Sequence, residues 1–352
     1  GLLPKGYLIA WEQLPLINFN TIKLEFDLNI LHDNYPKLND VTETDNQIVI
    51  TGKDFEIIFS KQTATMDSWT FQGKNILLRG PKPNFWRTPT DNDFGNNMPK
   101  RMAVWKHATD EAQVNEIKVD NYDTSVGIEV FYNFPSVESR GSILYVIYGD
   151  GRILVYNKFE IEKGTLPNIP KVGISMQIPK EFDAMTWFGR GPHENYLDRK
   201  SSAKVDIYSG KVSDQIHPYI RPQESGNKTD VRWATFRNVA GDGLLVRGLL
   251  SLNASHYLQE DYDHGFGEIK SGATGNIKTT KQQRHSIDMV ERELINLDID
   301  LIQMGLGGED SWWAQPLEKY QIKPKNYDYS FTLMPIKSDE NPVELNKNAF
   351  LK

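Results

Sequence analysis

Segments in which apolar residues recur at every second position fill most of the chain from residue 47 to residue 334. The first is Gln47–Phe59, where isoleucines and phenylalanines keep this spacing on both sides of the turn-forming sequence Gly52-Lys53-Asp54. Successive side chains of a β-strand point to opposite faces, so the spacing predicts strands that bury one face. A long series of such strands predicts an all-β fold, a large antiparallel β-sandwich with its functional residues in loops.

The strongest hairpin signal is Ile143–Tyr156, in which Asp150-Gly151 separates two arms rich in β-branched and aromatic residues. Asp-Gly is favoured in the tight turns that join antiparallel strands. Helical spacing is scarce and predicts helices only within Met98–Ala112 and Ser255–Tyr262. Further strands are predicted at Val172–Ile178, Val231–Phe236, Leu244–Leu250 and Tyr327–Met334.

A chain of 352 residues, 39% of them hydrophobic, can bury a large core, and we assign residues 45–337 to the sandwich. Tyr7, Ile9 and Trp11 alternate with more polar residues ahead of Pro15. Residues 1–16 are therefore expected to be the terminal strand of a preceding domain. Residues 17–44 are rich in Asn and Asp and predict a linker, and residues 338–352 are expected to form a tail.

Composition excludes several classes of function. The net charge is −7 and no block of Lys or Arg occurs, which argues against a nucleic-acid surface or an anionic membrane as partner. The chain has no cysteine, so disulfides, thiolate catalysis and Cys-ligated metals are excluded. No apolar run reaches the roughly 18 residues of a membrane span. Neutral polar ligands remain possible, and cytoplasmic and periplasmic locations both stay open.

The segment Met304–Trp313 combines three glycines with two acids and two adjacent indoles. The face of Trp312 or Trp313 can stack on the C–H groups of a pyranose ring, while the carboxylates of Glu309 and Asp310 accept hydrogen bonds from its hydroxyls. The alternative is that one indole fills the core beneath a tight turn and the acids cap that turn.

A second loop, Asn84–Gly95, contains Asp91, Asn92 and Asp93 in sequence. These residues can bind a cation or sugar hydroxyls, but Asp and Asn also build turns by bonding to their own backbone. Arg87 in the same loop can clamp an acidic group.

Two further loops are dense in polar and aromatic residues. In Trp187–Arg199, His193 and Glu194 place a base and an acid side by side for proton transfer, although such a pair also stabilises loops. The fourth loop is Tyr219–Trp233. Its Gln223, Glu224 and Asn227 can contact a polyol or a neighbouring domain.

Other chemistries lack their motifs. No glycine-rich loop has phosphate-binding spacing, no Gly-x-Ser-x-Gly sequence occurs, and the seven His residues never take metal-ligand spacing. Glycoside hydrolysis with retention needs two carboxyl groups about 5 Å apart. The sequence offers several candidates without singling out two of them: Asp91, Asp93, Glu194, Glu224, Glu309 and Asp310.

Taken together, the four loops resemble the C-terminal domain of the large β-galactosidases of glycoside hydrolase family 2, called the small chain where it is a separate subunit. The resemblance covers about Gln47 to Ile336, and Gly6–Gln13 is similar to the end of the immunoglobulin-like domain that precedes it. The matching stretches, in the family's order, are Phe85–Gly95, Gly189–Arg199, Tyr219–Gly226 and Met304–Trp312.

The resemblance implies a galactose-mutarotase-like supersandwich and no catalytic residue or metal site in this chain. The nucleophile, the acid/base and a catalytic magnesium would belong to a barrel in preceding domains or a separate large subunit, and the whole enzyme would be a homo-oligomer. Trp312 would stack on the β-galactoside, helped by Asp310 and Glu309. A site-shaping or interface role would fall to Arg87, Asp91, Asn92, Asp93, His193, Glu194 and Glu224.

The resemblance also implies a mobile loop beside the active site, here Gly95, Asn96 and Asn97 through Arg101, with Gly95 as its hinge. Two departures limit the comparison: Glu309 stands where Asp is commoner, and Asn96–Pro99 differs from the best-known loop sequence. The alternatives are a sugar epimerase that uses His193 as acid and Glu194 or Glu309 as base, and a carbohydrate-binding module that acts alone.

Overall fold

The computed structural model describes residues 3–14, 35–162, 164–262, 285–310 and 314–347. Over these ranges the chain forms seventeen strands, all paired antiparallel, in two sheets. The predicted all-β antiparallel sandwich is therefore confirmed.

The smaller sheet contains the first five strands in sequence order. The turn at Gly52-Lys53-Asp54 joins the second and third strands, as predicted, and Ile50 pairs with Ile57 across it. Ile48, Ile57 and Phe59 are fully buried, which is the outcome that the every-second-residue spacing predicts. The strands are β1 (Asp40–Glu43), β2 (Gln47–Thr51), β3 (Phe55–Ser60), β4 (Thr65–Phe71) and β5 (Lys74–Asn75).

The larger sheet contains twelve strands within the described ranges. They are β6 (Arg79–Asn84), β7 (Gln113–Asn121), β8 (Ser125–Phe134), β9 (Ser139–Tyr148), β10 (Ile153–Ile161), β11 (Lys171–Pro179), β12 (Ala184–Gly191), β13 (Lys204–Lys211), β14 (Lys228–Arg237), β15 (Gly243–Ser255), β16 (Leu294–Gln303) and β17 (Tyr327–Ile336). Their order is β13-β12-β14-β15-β17-β10-β9-β8-β7, and β16, β11 and β6 branch from β15. The hairpin predicted around Asp150-Gly151 is the β9–β10 pair.

The branch arises because β15 changes partner along its length. Its first half, Gly243–Arg247, pairs with β17, and its second half, Ser251–Ser255, pairs with β16. The register against β14 shifts between these halves, so the strand bends at a β-bulge. Strand β15 therefore connects the main row of strands, through β17, with the branch formed by β16, β11 and β6.

Helices are few and short. They are α1 (Asp91–Gly95), α2 (Met98–Arg101), α3 (Ala103–Asp110), α4 (Gln259–Tyr262) and α5 (Pro342–Lys347). None of the helices in the described ranges is long and apolar enough to cross a membrane. Trp105 of α3 packs into an aromatic cluster with Phe85 and Phe159, whose ring centroids lie 5.9 Å from the indole.

Several details differ from the sequence predictions. The helix predicted at Met98–Ala112 is divided at Met102, and Ser255–Tyr262 is helical only from Gln259. The expected tail contains α5, and the expected linker contains β1, whose sequence Asp-Val-Thr-Glu has almost no apolar signal.

The strand predicted for Gly6–Leu16 is absent from its described part, residues 6–14. The backbone groups of a strand bond to a neighbouring strand. In the described ranges, the hydrogen bonds from residues 6–14 to a strand are made by a side chain, that of Gln13. The amide of Gln13 bonds to both backbone groups of Val205 on β13, at 2.9 and 2.7 Å. The expected partners belong to a preceding domain, so the assignment of this segment as that domain's terminal strand stays a prediction.

Candidate functional site

The loop after β6 is built around a buried ion pair. Thr90 caps α1: its hydroxyl accepts from the Asp93 amide at 3.2 Å, and the Asp93 carboxylate accepts from the Thr90 amide at 3.0 Å. The same carboxylate accepts three hydrogen bonds from Arg87, at 2.9–3.1 Å. Arg87 and Asp93 are both fully buried. The predicted acid clamp is thus formed, and the acid that Arg87 binds is a residue of its own loop.

Arg87 also connects this loop to the segment that follows β16. Its Nη1 donates to the Met304 carbonyl at 2.7 Å, and its Nη2 donates to the Gly305 carbonyl at 3.1 Å. The planar guanidinium can bind a carboxylate on one side and carbonyl oxygens on the other. It therefore fixes α1 against the start of the Met304–Asp310 loop.

Asp91 and Asn92 bind different partners from Asp93. The Asn92 amide donates to the Gly307 carbonyl at 3.1 Å. Gln223 accepts from the Asp91 backbone amide at 3.0 Å and donates to the Asp91 carboxylate at 2.9 Å. Only Asp93 bonds to the backbone of its own turn, as the turn-building alternative expects, whereas Asp91 and Asn92 fix neighbouring loops. In the described ranges no three or more His, Asp and Glu side chains are grouped to hold a metal ion.

His193 and Glu194 face different partners. The exposed His193 ring contacts the Ser202 hydroxyl at 3.0 Å. Glu194 accepts from the Gly226 amide at 2.8 Å and from the hydroxyl of Tyr219. Burial and this hydrogen bond raise the pKa of Tyr219 to about 12. The carboxylate therefore joins the 189–199 and 219–227 loops instead of working with His193 in proton transfer.

Glu224 and its neighbour Gln223 point inward. Gln223 and Asn227 are also buried, so the expected contact of this loop with a polyol or another domain does not involve these three side chains in the described structure. Glu224 accepts from Asn253 at 2.8 Å and from Gln303 at 3.3 Å. Burial raises the pKa of Glu224 to about 7, although the nearby Lys171 ammonium opposes this shift.

Sequence reasoning missed a buried charged cluster beneath these loops. Lys171 donates to Asp298 at 2.8 Å and lies 3.6 Å from Asp300, with the lysine and Asp300 fully buried. Burial raises the pKa of Asp300 well above its usual range. Burial lowers the pKa of Lys171, but the carboxylates of Asp298 and Asp300 outweigh it and raise that pKa overall. The cluster could have been suspected from Asp298 and Asp300, because two acids that share one face of an otherwise apolar strand need a buried partner.

A small polar cavity lies beside this cluster. It is bordered by Glu224, Ser225, Asn253 and Asp298, and the space open to the centre of a water molecule is about 20 Å³. That volume fits one or two waters and is far too small for a pyranose ring. A sugar therefore cannot be enclosed at this position.

The remaining predicted residues lie at the surface or outside the described ranges. Glu309 and Asp310 are exposed, and Asp310 accepts from the Ala314 amide at 3.3 Å. Trp312, with Ser311 and Trp313, lies outside the described residues. Their binding to a sugar stays a prediction.

The segment expected to be mobile contains a short cap and helix α2. Gly95 is exposed, Asn96 is buried, and Asn97 adopts a left-handed conformation with φ 59°. The Arg101 side chain donates to the Asn96 backbone at 3.0 Å and to its side chain at 2.7 Å. Movement of this segment stays a prediction.

Residues 51–333 match the family described as the beta galactosidase small chain. The chain belongs to this family. The resemblance drawn from the four loops is therefore confirmed, and the loops that carry it are the ones that the structure joins through Arg87, Asn92 and Glu194.

Curated relatives are longer than this chain. The β-galactosidase of Priestia megaterium is 33% identical over 337 residues, which are 94% of this chain and 30% of that protein. The β-galactosidase of Halalkalibacterium halodurans is 28% identical over 290 residues, 80% of this chain and 27% of that protein. The chain thus spans about 30% of the length of these relatives and corresponds to a domain of a larger protein.

Among solved structures, the galactose 1-epimerase from Lactobacillus acidophilus NCFM is similar to 86% of this chain and 98% of its own, with a TM-score of 0.47 and 8% identity.

Proposed function

We propose that this chain completes the sugar site of a β-galactosidase whose catalytic groups lie in another part of the larger protein. The proposal rests mainly on one observation: side chains from the loops at 84–95, 189–199 and 219–227 join one another and hold the backbone of Met304–Asp310. This arrangement is a rigid support, and it leaves Glu309 and Asp310 exposed at its outer end.

The internal partners of the candidate carboxylates support this division of labour. Asp93 is paired with Arg87, and Glu194 is engaged by Tyr219 and Gly226. A carboxylate that attacks or protonates a glycosidic bond must face the substrate. We therefore assign the catalytic pair, and the magnesium that would accompany it, to the remainder of the protein.

The sugar contact in this proposal is Trp312. An indole face next to exposed carboxylates can stack on a galactose ring while the carboxylates of Glu309 and Asp310 accept from its hydroxyls. The partner is the catalytic barrel, in preceding domains or in a separate large subunit, and the complete enzyme is expected to be a homo-oligomer. The segment 95–101 would border the same opening and move as substrate enters.

The test compares this chain alone with a protein in which it is joined to the catalytic portion of a β-galactosidase. Hydrolysis of a chromogenic β-galactoside is measured with magnesium present. We expect no turnover from the chain alone, turnover from the joined protein, and a KM about fivefold higher in Trp312→Ala, because one stacking contact contributes about 1 kcal/mol.

Trp313→Ala is the matched control, since it removes the adjacent indole. Turnover by the chain alone that persists through purification would overturn the proposal. An unchanged KM in Trp312→Ala would remove the stacking role. An epimerase would instead show catalysed mutarotation of galactose that depends on His193.

A further inference from the structure

The turn at Gly305–Gly308 is held by a carboxylate from another loop. Both oxygens of Asp198 accept backbone hydrogen bonds, from the Leu306 amide at 3.0 Å and from the Gly307 amide at 2.8 Å. The neighbouring Arg199 donates to the Gly307 carbonyl at 2.8 Å. Three successive peptide groups are therefore each held by a charged side chain, and charged partners make these hydrogen bonds strong.

The turn has glycines where Asp198 and Asn92 approach its backbone most closely. A Cβ on Gly305 would lie 2.6 Å from the Asp198 carboxylate, and a Cβ on Gly308 would lie 2.3 Å from the Asn92 amide. Gly307 and Gly308 also have φ values of +66° and +78°, which favour glycine. Asp198 and Asn92 can thus reach the backbone only because residues 305 and 308 are glycines.

The held turn leads directly into the exposed acids. The Gly308 amide donates to the Ala314 carbonyl at 3.1 Å, and this hydrogen bond joins residue 308 to residue 314. Glu309 and Asp310 follow Gly308 and are exposed at the surface. Asp198 fixes the peptide planes at the Leu306 and Gly307 amides, and these planes set the direction in which the chain runs on to Glu309.

We propose that Asp198 is a positioning residue for the sugar contact, acting through the backbone of Leu306 and Gly307. This inference rests on the proposed function, because it concerns the orientation of the segment that carries Glu309, Asp310 and Trp312. Asp198 itself touches the turn and not the sugar.

The test uses the joined enzyme described above and the variant Asp198→Asn, in which one acceptor oxygen is replaced by an amide that cannot accept. We expect KM to rise about fivefold, the factor that one hydrogen bond commonly contributes, with kcat changed by less than about twofold. A role limited to stability would lower the active fraction and therefore kcat, while KM stayed the same. A lowered kcat at unchanged KM overturns the inference.

Two further variants strengthen the test. Gly305→Ala introduces the Cβ that meets Asp198 and should give the same rise in KM. Asp206→Asn makes the same chemical change at an exposed position on β13 and should leave both kinetic constants unchanged.

The double variant Asp198→Asn/Trp312→Ala separates this inference from the proposed function. If Asp198 acts through the position of Trp312, its replacement should change KM by less than about twofold once the indole is gone. Additive effects would overturn the inference. If Trp312→Ala alone leaves KM unchanged, the stacking role in the proposed function fails. If Trp312→Ala raises KM and Asp198→Asn does not, only the positioning role fails.

Discussion

Two buried groups of charged residues lie close to the candidate site, and they are balanced differently. In the loop after β6, Arg87 meets one carboxylate, Asp93, and its remaining donors reach two backbone carbonyls. In the cluster below, the Lys171 ammonium is surrounded by three carboxyl groups, those of Asp298, Asp300 and Glu224.

The difference shows how a buried charge can be tolerated in two ways. The Arg87–Asp93 pair balances one cation with one carboxylate, and its hydrogen bonds are satisfied. The Lys171 cluster has more carboxyl groups than the ammonium can neutralise. Burial raises the pKa of both Glu224 and Asp300, so these groups keep their protons to a higher pH than exposed carboxyl groups do. The stability contributed by the cluster should therefore depend on pH.

The largest effect is expected from Arg87→Met in this chain. The substitution leaves the Asp93 carboxylate buried without its cation, which costs about 3–5 kcal/mol of the free energy of unfolding. Urea unfolding at neutral pH measures the loss. The double variant Arg87→Met/Asp93→Asn removes the stranded charge and should recover part of it. A single variant within about 1 kcal/mol of the wild type would contradict the interpretation of this pair.

The next effect concerns Glu224→Gln and pH. The folded chain holds the Glu224 proton more tightly than the unfolded chain, because the pKa rises from 4.5 to about 7 on folding. The stabilisation from this proton is complete below about pH 4.5 and is lost as the pH rises to about 7, on the order of 3 kcal/mol in all.

Thermal unfolding between pH 5 and pH 8 tests this sign. The wild type should lose stability over the interval, and Glu224→Gln should lose less, since the amide is neutral throughout and keeps an oxygen that accepts from Asn253 and Gln303. Asp206→Asn serves as the exposed control. Identical pH profiles for the wild type and Glu224→Gln would show that Glu224 is not the group that titrates.

A smaller loss is expected from Lys171→Met, about 2 kcal/mol at pH 8 and less at pH 5. Protons can replace the missing ammonium when the pH is low enough for the carboxyl groups to bind them, so the loss shrinks on acidification. Urea unfolding at the two pH values measures it. A loss that grows on acidification would contradict the proton-based balance of the cluster.

The smallest effect is expected from Arg221→Met, which removes a cation from the same loop system at its exposed side. Arg221 lies 3.2 Å from Asp91, whose side chain is 62% exposed. Water screens such a pair, so the free energy of unfolding should fall by less than about 1 kcal/mol. A loss of unfolding free energy as large as that of Arg87→Met would mean that burial does not explain the different contributions of the two arginines to stability.

The strands were predictable because their signal is local. Every-second-residue spacing places Ile57 or Phe59 on one face whatever the partner strand is. The spacing says nothing about where the partner strand lies: residues 6–14 pair with no strand of the described ranges, and their place in a preceding domain stays a prediction. It also missed β1, where Val41 stands almost alone among polar residues.

The sequence indicated which loops form the candidate site. It did not indicate which residues of these loops contact one another. Composition singled out Arg87, Asp93 and Glu194, but their partners lie in loops whose approach depends on the order of strands in the sheet. Asp198 was part of a recognised motif, yet its bonds to Leu306 and Gly307 cross more than a hundred residues of sequence. Lys171 was passed over because a single lysine at the start of a strand looks like an ordinary surface residue.

The exchange of partners along β15 has a consequence for how the molecule opens. Asn253, in the second half of this strand, donates to Glu224 and to the Ser225 carbonyl, so the 219–227 loop is anchored on a strand that β14, β16 and β17 also share. A local fluctuation cannot free that anchor without breaking ladders on both flanks. The ladder amide protons of Leu244–Arg247 and Ser251–Ala254 should therefore exchange with solvent only through complete unfolding, which would make these two halves of the strand the last parts of the domain to release their hydrogens.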